Sequence, residues 1–231
     1  MLKVDKLSTS YGSVKVLHGV SLTAAPGQIT CVMGRNGVGK TTLMKSIMGS
    51  LKSTAGKVMM NGRDLTALPS NKRARSGIAL VPQGRHIFPK LTVMENLRVG
   101  LEARPDRSRK MPEAVFEYFP VLKTMSHRMG GDLSGGQQQQ LAIARALVGD
   151  PKVLLLDEPT EGIQPNIIQL IGQVLRKLVT EMRMAVVLVE QYLDFVREFG
   201  HAFHIMNRGQ VIASGTPSEL TEEMVSMHLS V

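Results

Sequence analysis

Residues 34–41, Gly34-Arg35-Asn36-Gly37-Val38-Gly39-Lys40-Thr41, restrict what this chain can fold into more than any other stretch. They fit the pattern of a glycine, four free positions and Gly-Lys-Thr, which makes a phosphate-cradling loop when a strand enters it and a helix leaves it. Both conditions are met here: the apolar run at 28–33 reads as a strand and the pattern at 41–50 as a helix. Gly37 and Gly39 permit torsions that aim several backbone N–H groups at one anion, and the helix N-terminus adds its dipole. In such a loop Lys40 supplies a point charge for β- and γ-phosphates, Thr41 offers a hydroxyl to Mg²⁺, and Thr42 can donate to a phosphate oxygen. The competing reading, a glycine-rich helix start without a ligand, explains neither the spacing nor the lysine.

The rest of the chain supports an α/β fold. Short β-like runs at 2–7, 14–22 and 28–33 are punctuated by Tyr11-Gly12 and Pro26-Gly27. From 85 to 149 the texture turns helical, broken by Pro89, Pro105, Pro112 and Pro120, as expected of an inserted helical lobe. Alternation of strand and helix then resumes with a strand at 153–156, a helix near 166–183 and a strand at 185–189, the pattern of a parallel sheet flanked by helices. β-like pieces follow at 202–207 and 210–214, and Thr216-Pro217-Ser218-Glu219 has the form of a capping box opening a final helix.

Val153-Leu154-Leu155-Leu156 runs directly into Asp157-Glu158. Two carboxylates at the end of a buried parallel strand face the ligand crevice. Asp157 suits Mg²⁺ held through water, and Glu158 suits orienting and polarising the water that attacks a γ-phosphate. Acids also cap the helix after a strand, and without the phosphate loop the two readings weigh equally.

A second glycine loop, Leu133-Ser134-Gly135-Gly136-Gln137, opens an apolar-periodic helix through Leu147. By itself it is an anion site lacking a lysine. Together with the phosphate loop and the acidic strand, this stretch resembles the ATP-binding subunit of ABC transporters, over essentially the whole chain. That resemblance implies a P-loop NTPase fold: a RecA-like core with a parallel sheet at 1–84 and 150–231, an N-terminal antiparallel β subdomain, and a helical signature subdomain at 85–149. It implies Mg²⁺ and ATP as ligands, with Ser134, Gly135, Gly136 and Gln137 serving the ATP of a second ATP-binding subunit. Tyr11 resembles the aromatic that stacks on adenine. Gln83, in Leu80-Val81-Pro82-Gln83, resembles the glutamine that contacts Mg²⁺ and the attacking water while sensing transmembrane permease subunits. A solute-binding protein would act upstream, and the subunit would sit peripherally on the cytoplasmic face of the membrane.

Two positions depart from the family pattern. A histidine usually follows the strand at 186–189, where this chain reads Glu190-Gln191-Tyr192, and Gln191 can donate a hydrogen bond but carries no titratable proton. The loop after Thr160 usually holds an aspartate, where Gln164 keeps length and loses charge. Gly84-Arg85-His86-Ile87-Phe88-Pro89, Glu158-Pro159-Thr160-Glu161-Gly162-Ile163-Gln164-Pro165 and Val189-Glu190-Gln191 resemble importers of branched-chain amino acids and urea. The glutamines at 137–140 and the Ile-Gln-Pro run lean toward the urea type.

Composition bounds the alternatives. The single cysteine, Cys31, sits in an apolar run and reads as a small buried hydrophobe in a chain suited to a reducing compartment. No apolar run approaches the roughly 20 residues of a membrane span, and the N-terminus lacks the apolar stretch of a secretory signal. The net charge of +9 gathers at Lys72-Arg73-Ala74-Arg75 and at 104–110, without interleaved aromatics, which suits a solvated face better than a membrane or nucleic-acid surface. A soluble ABC ATPase acting on nucleic acid or the ribosome would commonly carry two cassettes or a long heptad run, and neither is present. A non-catalytic ATP-binding partner is the third reading, sustained by Gln191 and opposed by Glu158. The six histidines show no metal-ligand spacing, and the fifteen methionines read as core filler.

Overall fold

Strands that are apolar at successive positions need cover on both faces, whereas strands of alternating polarity need it on one. Both kinds occur in the computed structural model, which describes residues 1–229. The first stretch holds β1 (Leu2–Tyr11), β2 (Val14–Ala24), β3 (Ile29–Met33), α1 (Lys40–Met48), β4 (Ser53–Met60), β5 (Arg63–Asp64), α2 (Ser70–Arg75) and β6 (Ile78–Val81). Helices follow: α3 (Val93–Leu101), α4 (Ala114–Tyr118), α5 (Pro120–Thr124) and α6 (Gly135–Leu147). The chain then returns to β7 (Val153–Asp157), α7 (Pro165–Glu181), β8 (Ala185–Val189), α8 (Leu193–Phe199), β9 (Ala202–Asn207), β10 (Gln210–Gly215) and α9 (Glu222–His228).

Two sheets result, in the orders β2-β1-β4-β5, antiparallel throughout, and β10-β9-β3-β8-β7-β6, parallel except at β10. The larger sheet is fully buried at β3, β7 and β8, and its alternate residues feed two cores. Cys31, Leu154, Leu156 and Leu188 pack toward α3, α6, α7 and α8; Val32, Leu155, Val187 and Val189 pack toward α1 and the antiparallel sheet. The phosphate loop therefore emerges from a strand clamped between two apolar layers. Burial pushes the Cys31 thiol up, leaving it protonated and inert, and among the described residues no helix is long and apolar enough to cross a membrane.

Two expectations need correction. The box at Thr216 to Glu219 closes as expected, but it caps a single 3₁₀ turn at Pro217–Glu219; α9 starts afresh after Thr221, whose side chain caps it. The basic stretch at 72–75 is not uniformly solvated, because Arg73 is buried. Its guanidinium fork donates to the carbonyls of Leu68, Ser46, Ile47 and Thr66 at 2.7–2.9 Å. Two of those carbonyls lie in the last turn of α1, so Arg73 caps the helix that carries Lys40 and Thr41. Gly49 ends α1 at φ 77°, and a Cβ there would meet Arg73 Nε at 2.7 Å.

Arg73→Lys keeps the charge but cannot span four acceptors, and should lower the unfolding free energy in urea by about 2 kcal/mol, with Arg73→Met costing more. A midpoint shift within error would show that the fork does not stabilise α1.

Candidate functional site

The C-terminal ends of β3, β7 and β8 lie side by side, so the loops leaving them converge. They enclose a cleft of about 580 Å³ lined by Asn36, Gly37, Gly39, Lys40, Thr41 and Thr42 from the first loop, Glu158, Thr160 and Glu161 from the second, and Glu190, Gln191 and Tyr192 from the third, with Val16 and Gln83 at its walls. The phosphate loop is shaped by backbone geometry. Gly34 has φ 143°, and a Cβ there would collide with the Met206 carbonyl of β9; Gly39 has φ 107° and caps α1 from the left-handed region.

Polar groups of the cleft bond to one another. Lys40 Nζ donates to the carbonyls of Gly34 (2.8 Å) and Arg35 (3.0 Å) and lies 3.6 Å from Glu158 Oε1. Gln191 Nε2 donates to Glu158 Oε1 at 2.8 Å and to Asn36 Oδ1 at 2.7 Å. Gln83 Nε2 donates to Glu158 Oε2 at 3.0 Å and to Glu161 Oε2 at 2.9 Å. Glu158 is thus gripped from three sides, on a backbone held at φ 51°, a strained torsion of the kind that recurs where a side chain must be aimed. Burial pulls the Lys40 ammonium down, with Glu158 and Asp157 drawing it back up.

Asp157 behaves differently. It is buried, its Oδ1 has no hydrogen-bond partner, and burial pushes its carboxyl up against the opposing hydrogen bond from the Thr41 hydroxyl. A lone carboxylate oxygen beside a helix-start threonine is an oxygen-only donor set, which fits Mg²⁺, a cation that takes one or two protein ligands and completes its shell with water and phosphate. No cluster of three or more His, Cys, Asp or Glu suited to a metal occurs among the described residues.

Glu190 escaped notice in the sequence although it repeats the pattern of Asp157, an acid directly after an apolar strand. It is buried, and its carboxylate accepts from Thr160 N (3.1 Å), Thr160 Oγ1 (2.7 Å), Gln191 N (3.0 Å) and Tyr192 N (3.3 Å). One side chain thereby fastens the loop after β7 to the loop after β8. Burial raises its pKa, opposed by those same hydrogen bonds.

Other expected residues stand apart from the cleft. Tyr11 is 47% exposed at the β1–β2 turn, and Val16 supplies the neighbouring cleft wall. Ser134 caps α6 in a reciprocal box with Gln137, in which Ser134 N donates to Gln137 Oε1 at 2.9 Å. Gly135 and Gly136 form its first turn, and none of the four lines the cleft. Gln164 caps α7 without a side-chain hydrogen bond. Arg145 on α6 donates to the His86 carbonyl at 2.8 Å and lies over the Phe88 ring, joining the signature helix to the loop that follows Gln83.

Comparison with known proteins agrees with this geometry. The ABC transporter family pattern matches residues 17–161. The chain is 39% identical over 221 residues to the high-affinity branched-chain amino acid transport ATP-binding protein BraG of Pseudomonas aeruginosa, covering 95% of this chain and 94% of that protein. It is 36% identical to the probable branched-chain amino acid transport ATP-binding protein LivF of Archaeoglobus fulgidus, over 96% of this chain and 94% of the other. Among solved structures, a dimeric ATP-binding cassette in a post-hydrolysis state bound to ADP and Pi superposes with a TM-score of 0.84 at 27% identity, over 94% of this chain and 99% of that one. The chain belongs to the ABC transporter family, as an ATP-binding cassette with the P-loop NTPase fold.

The raised Asp157 pKa has a signed consequence. The folded state holds that proton more tightly than the unfolded state, so the stabilisation is complete at low pH and lost as pH rises through the raised value. Asp157→Asn should therefore melt higher than wild type at neutral pH without ligand, yet lose the extra stabilisation that Mg²⁺ adds to ATP. Equal Mg²⁺-dependent shifts in both proteins would remove Asp157 from the metal site.

Proposed function

We propose that this chain is the ATP-hydrolysing subunit of an importer for urea or a related small polar solute. The observation that carries the enzymatic part is the convergence of Lys40, Gln83, Glu158 and Gln191 on one cleft, with Glu158 held by the other three. When ATP enters, Lys40 exchanges the Gly34 and Arg35 carbonyls for β- and γ-phosphate oxygens, and the N–H groups of 37–42 take up the remaining phosphate charge. Glu158, released from Lys40, orients and polarises the attacking water; the water oxygen bonds to the γ-phosphorus as the bond to the bridging oxygen breaks, leaving ADP and phosphate. Thr41, Gln83 and Asp157 would hold Mg²⁺, which would supply positive charge to offset that of the phosphates. Gln191 positions Glu158 by a neutral hydrogen bond in place of the family's histidine.

Ser134, Gly135, Gly136 and Gln137 do not line the cleft of their own chain, which supports a second cassette whose ATP they close over. Tyr11, exposed at the β1–β2 turn, would stack on adenine. An exposed apolar groove lined by Ala74, Leu80, Phe88, Val99 and Ala103 adjoins the loop after Gln83, and it suits a cytoplasmic segment of a permease subunit whose position Gln83 would report to Glu158. Docking there holds the chain peripherally at the cytoplasmic face of the membrane. The urea reading rests on the glutamines at 137–140 and on Ile163-Gln164-Pro165; branched-chain amino acids are the alternative, favoured by the relatives BraG and LivF.

Steady-state hydrolysis by the reconstituted transporter should fall about a hundredfold or more in Glu158→Gln, with ATP still bound. Uptake of labelled urea but not leucine by the same vesicles supports the solute; leucine uptake alone overturns it. Gln191→His should give the pH–rate curve a limb near about pH 6.5 that wild type lacks; identical curves would show that this side chain does not face the reacting phosphate.

A further inference from the structure

Two basic stretches far apart in the sequence meet on one face of the folded chain. Arg75, in the last turn of α2, and Arg107, in the loop after α3, each line both of two adjoining clefts of about 320 and 290 Å³. Arg109 adds to the first cleft, and Arg63, Lys72 and Arg104 to the second. Among the described residues only Arg104 of these six has an ion-pair partner, Asp106 at 2.8 Å, and Glu102 is the one acid lining either cleft. Arg73, between Lys72 and Arg75, is the member that turns inward to cap α1, so the outward cations are not used by the fold in that way. Lys72 and Arg75 complement the C-terminal dipole of α2; Arg63, Arg107 and Arg109 lie outside that helix.

The chemistry of the patch selects its partner. Its cations, apart from the half-buried Arg104, are exposed and on long stems, and neither cleft is lined by a helix N-terminus, so there is no built cage for a single phosphate. No aromatic ring lines either cleft, which removes the stacking platform that a single-stranded nucleic acid uses. Several mobile cations spread over one face match a broad anionic plane, the headgroup layer of acidic phospholipids. Ala74 and Ala103 line the apolar groove, and their chain neighbours Arg75 and Arg104 line the basic clefts, so groove and patch adjoin.

We propose that Arg63, Lys72, Arg75, Arg107 and Arg109 form a lateral foot that rests on acidic lipid headgroups beside the permease. The orientation of this face toward the membrane rests on the transporter reading above; its charge does not. In flotation with vesicles of equal parts phosphatidylcholine and phosphatidylglycerol, the full-length chain should float with the vesicles, should stay behind with phosphatidylcholine alone, and should release as salt rises. The triple variant Arg75→Glu, Arg107→Glu, Arg109→Glu should lose about a hundredfold in partitioning, while binding of a fluorescent ATP analogue, measured on the same preparation, is unchanged. Equal partitioning of variant and wild type overturns the proposal, as does failure of wild type to float. Tighter binding to a single-stranded oligonucleotide than to vesicles, abolished by the same variant, overturns it in favour of nucleic acid. Loss of analogue binding by wild type would instead count against the transporter reading. If the charge-reversed chain does not bind analogue, the three Gln substitutions replace it and the same criteria apply.

Discussion

Everything in the cleft depends on how β3 ends. The backbone must leave a buried strand, pass against the Met206 carbonyl of β9 with no Cβ at Gly34, and turn back into α1 at Gly39. That path is fixed from outside the loop as well. Gly209, in the β9–β10 turn, donates to the Val38 carbonyl at 2.9 Å, and its own carbonyl accepts from His18 of β2 at 2.8 Å. One residue therefore pins the phosphate loop to both sheets, and a Cβ on it would run into the Val16 carbonyl. The rigidity of the anion site comes from packing around the loop more than from the loop itself.

Around this fixed point the moving groups are tied together in series. Glu190 joins the loops after β7 and β8, Gln83 bridges Glu158 and Glu161, and Arg145 fastens the chain after Gln83 to the helix that Ser134 caps. The Phe88 groove and Glu158 are thus ends of one short stretch of chain, with Arg145 bonded near one end and Gln83 bonded to Glu158 at the other. Gln191 enters this chain of contacts as a neutral donor, whereas Gln164 makes no side-chain cap bond.

The sequence exposed those parts whose chemistry dictates residue type locally. The glycine spacing, the lysine and the fully apolar strands at 153–156 and 185–189 restrict residue type locally, and the structure brings Lys40 and Glu158 to one cleft at the strand ends. β4 and β6 were illegible because Ala55-Gly56 dilutes the first and the second spans only four residues, Ile78–Val81. Arg73 and Gly209 carry a different lesson: the α1 carbonyls that Arg73 caps lie 26 and 27 positions away, the partners of Gly209 are Val38 and His18, and nothing in a run of basic residues tells which one turns inward. The Thr216 box misled because a proline-bearing cap stabilises a single turn as well as a helix.

The saturation of Glu158 bears on the heat of nucleotide binding. Because Lys40 donates to the Gly34 and Arg35 carbonyls, phosphate oxygens exchange for partners that are good to begin with. The measured enthalpy is then a difference between two well-bonded states. Affinity for ATP and calorimetric signal become separate quantities in this protein, and a weak thermogram is compatible with a tight complex.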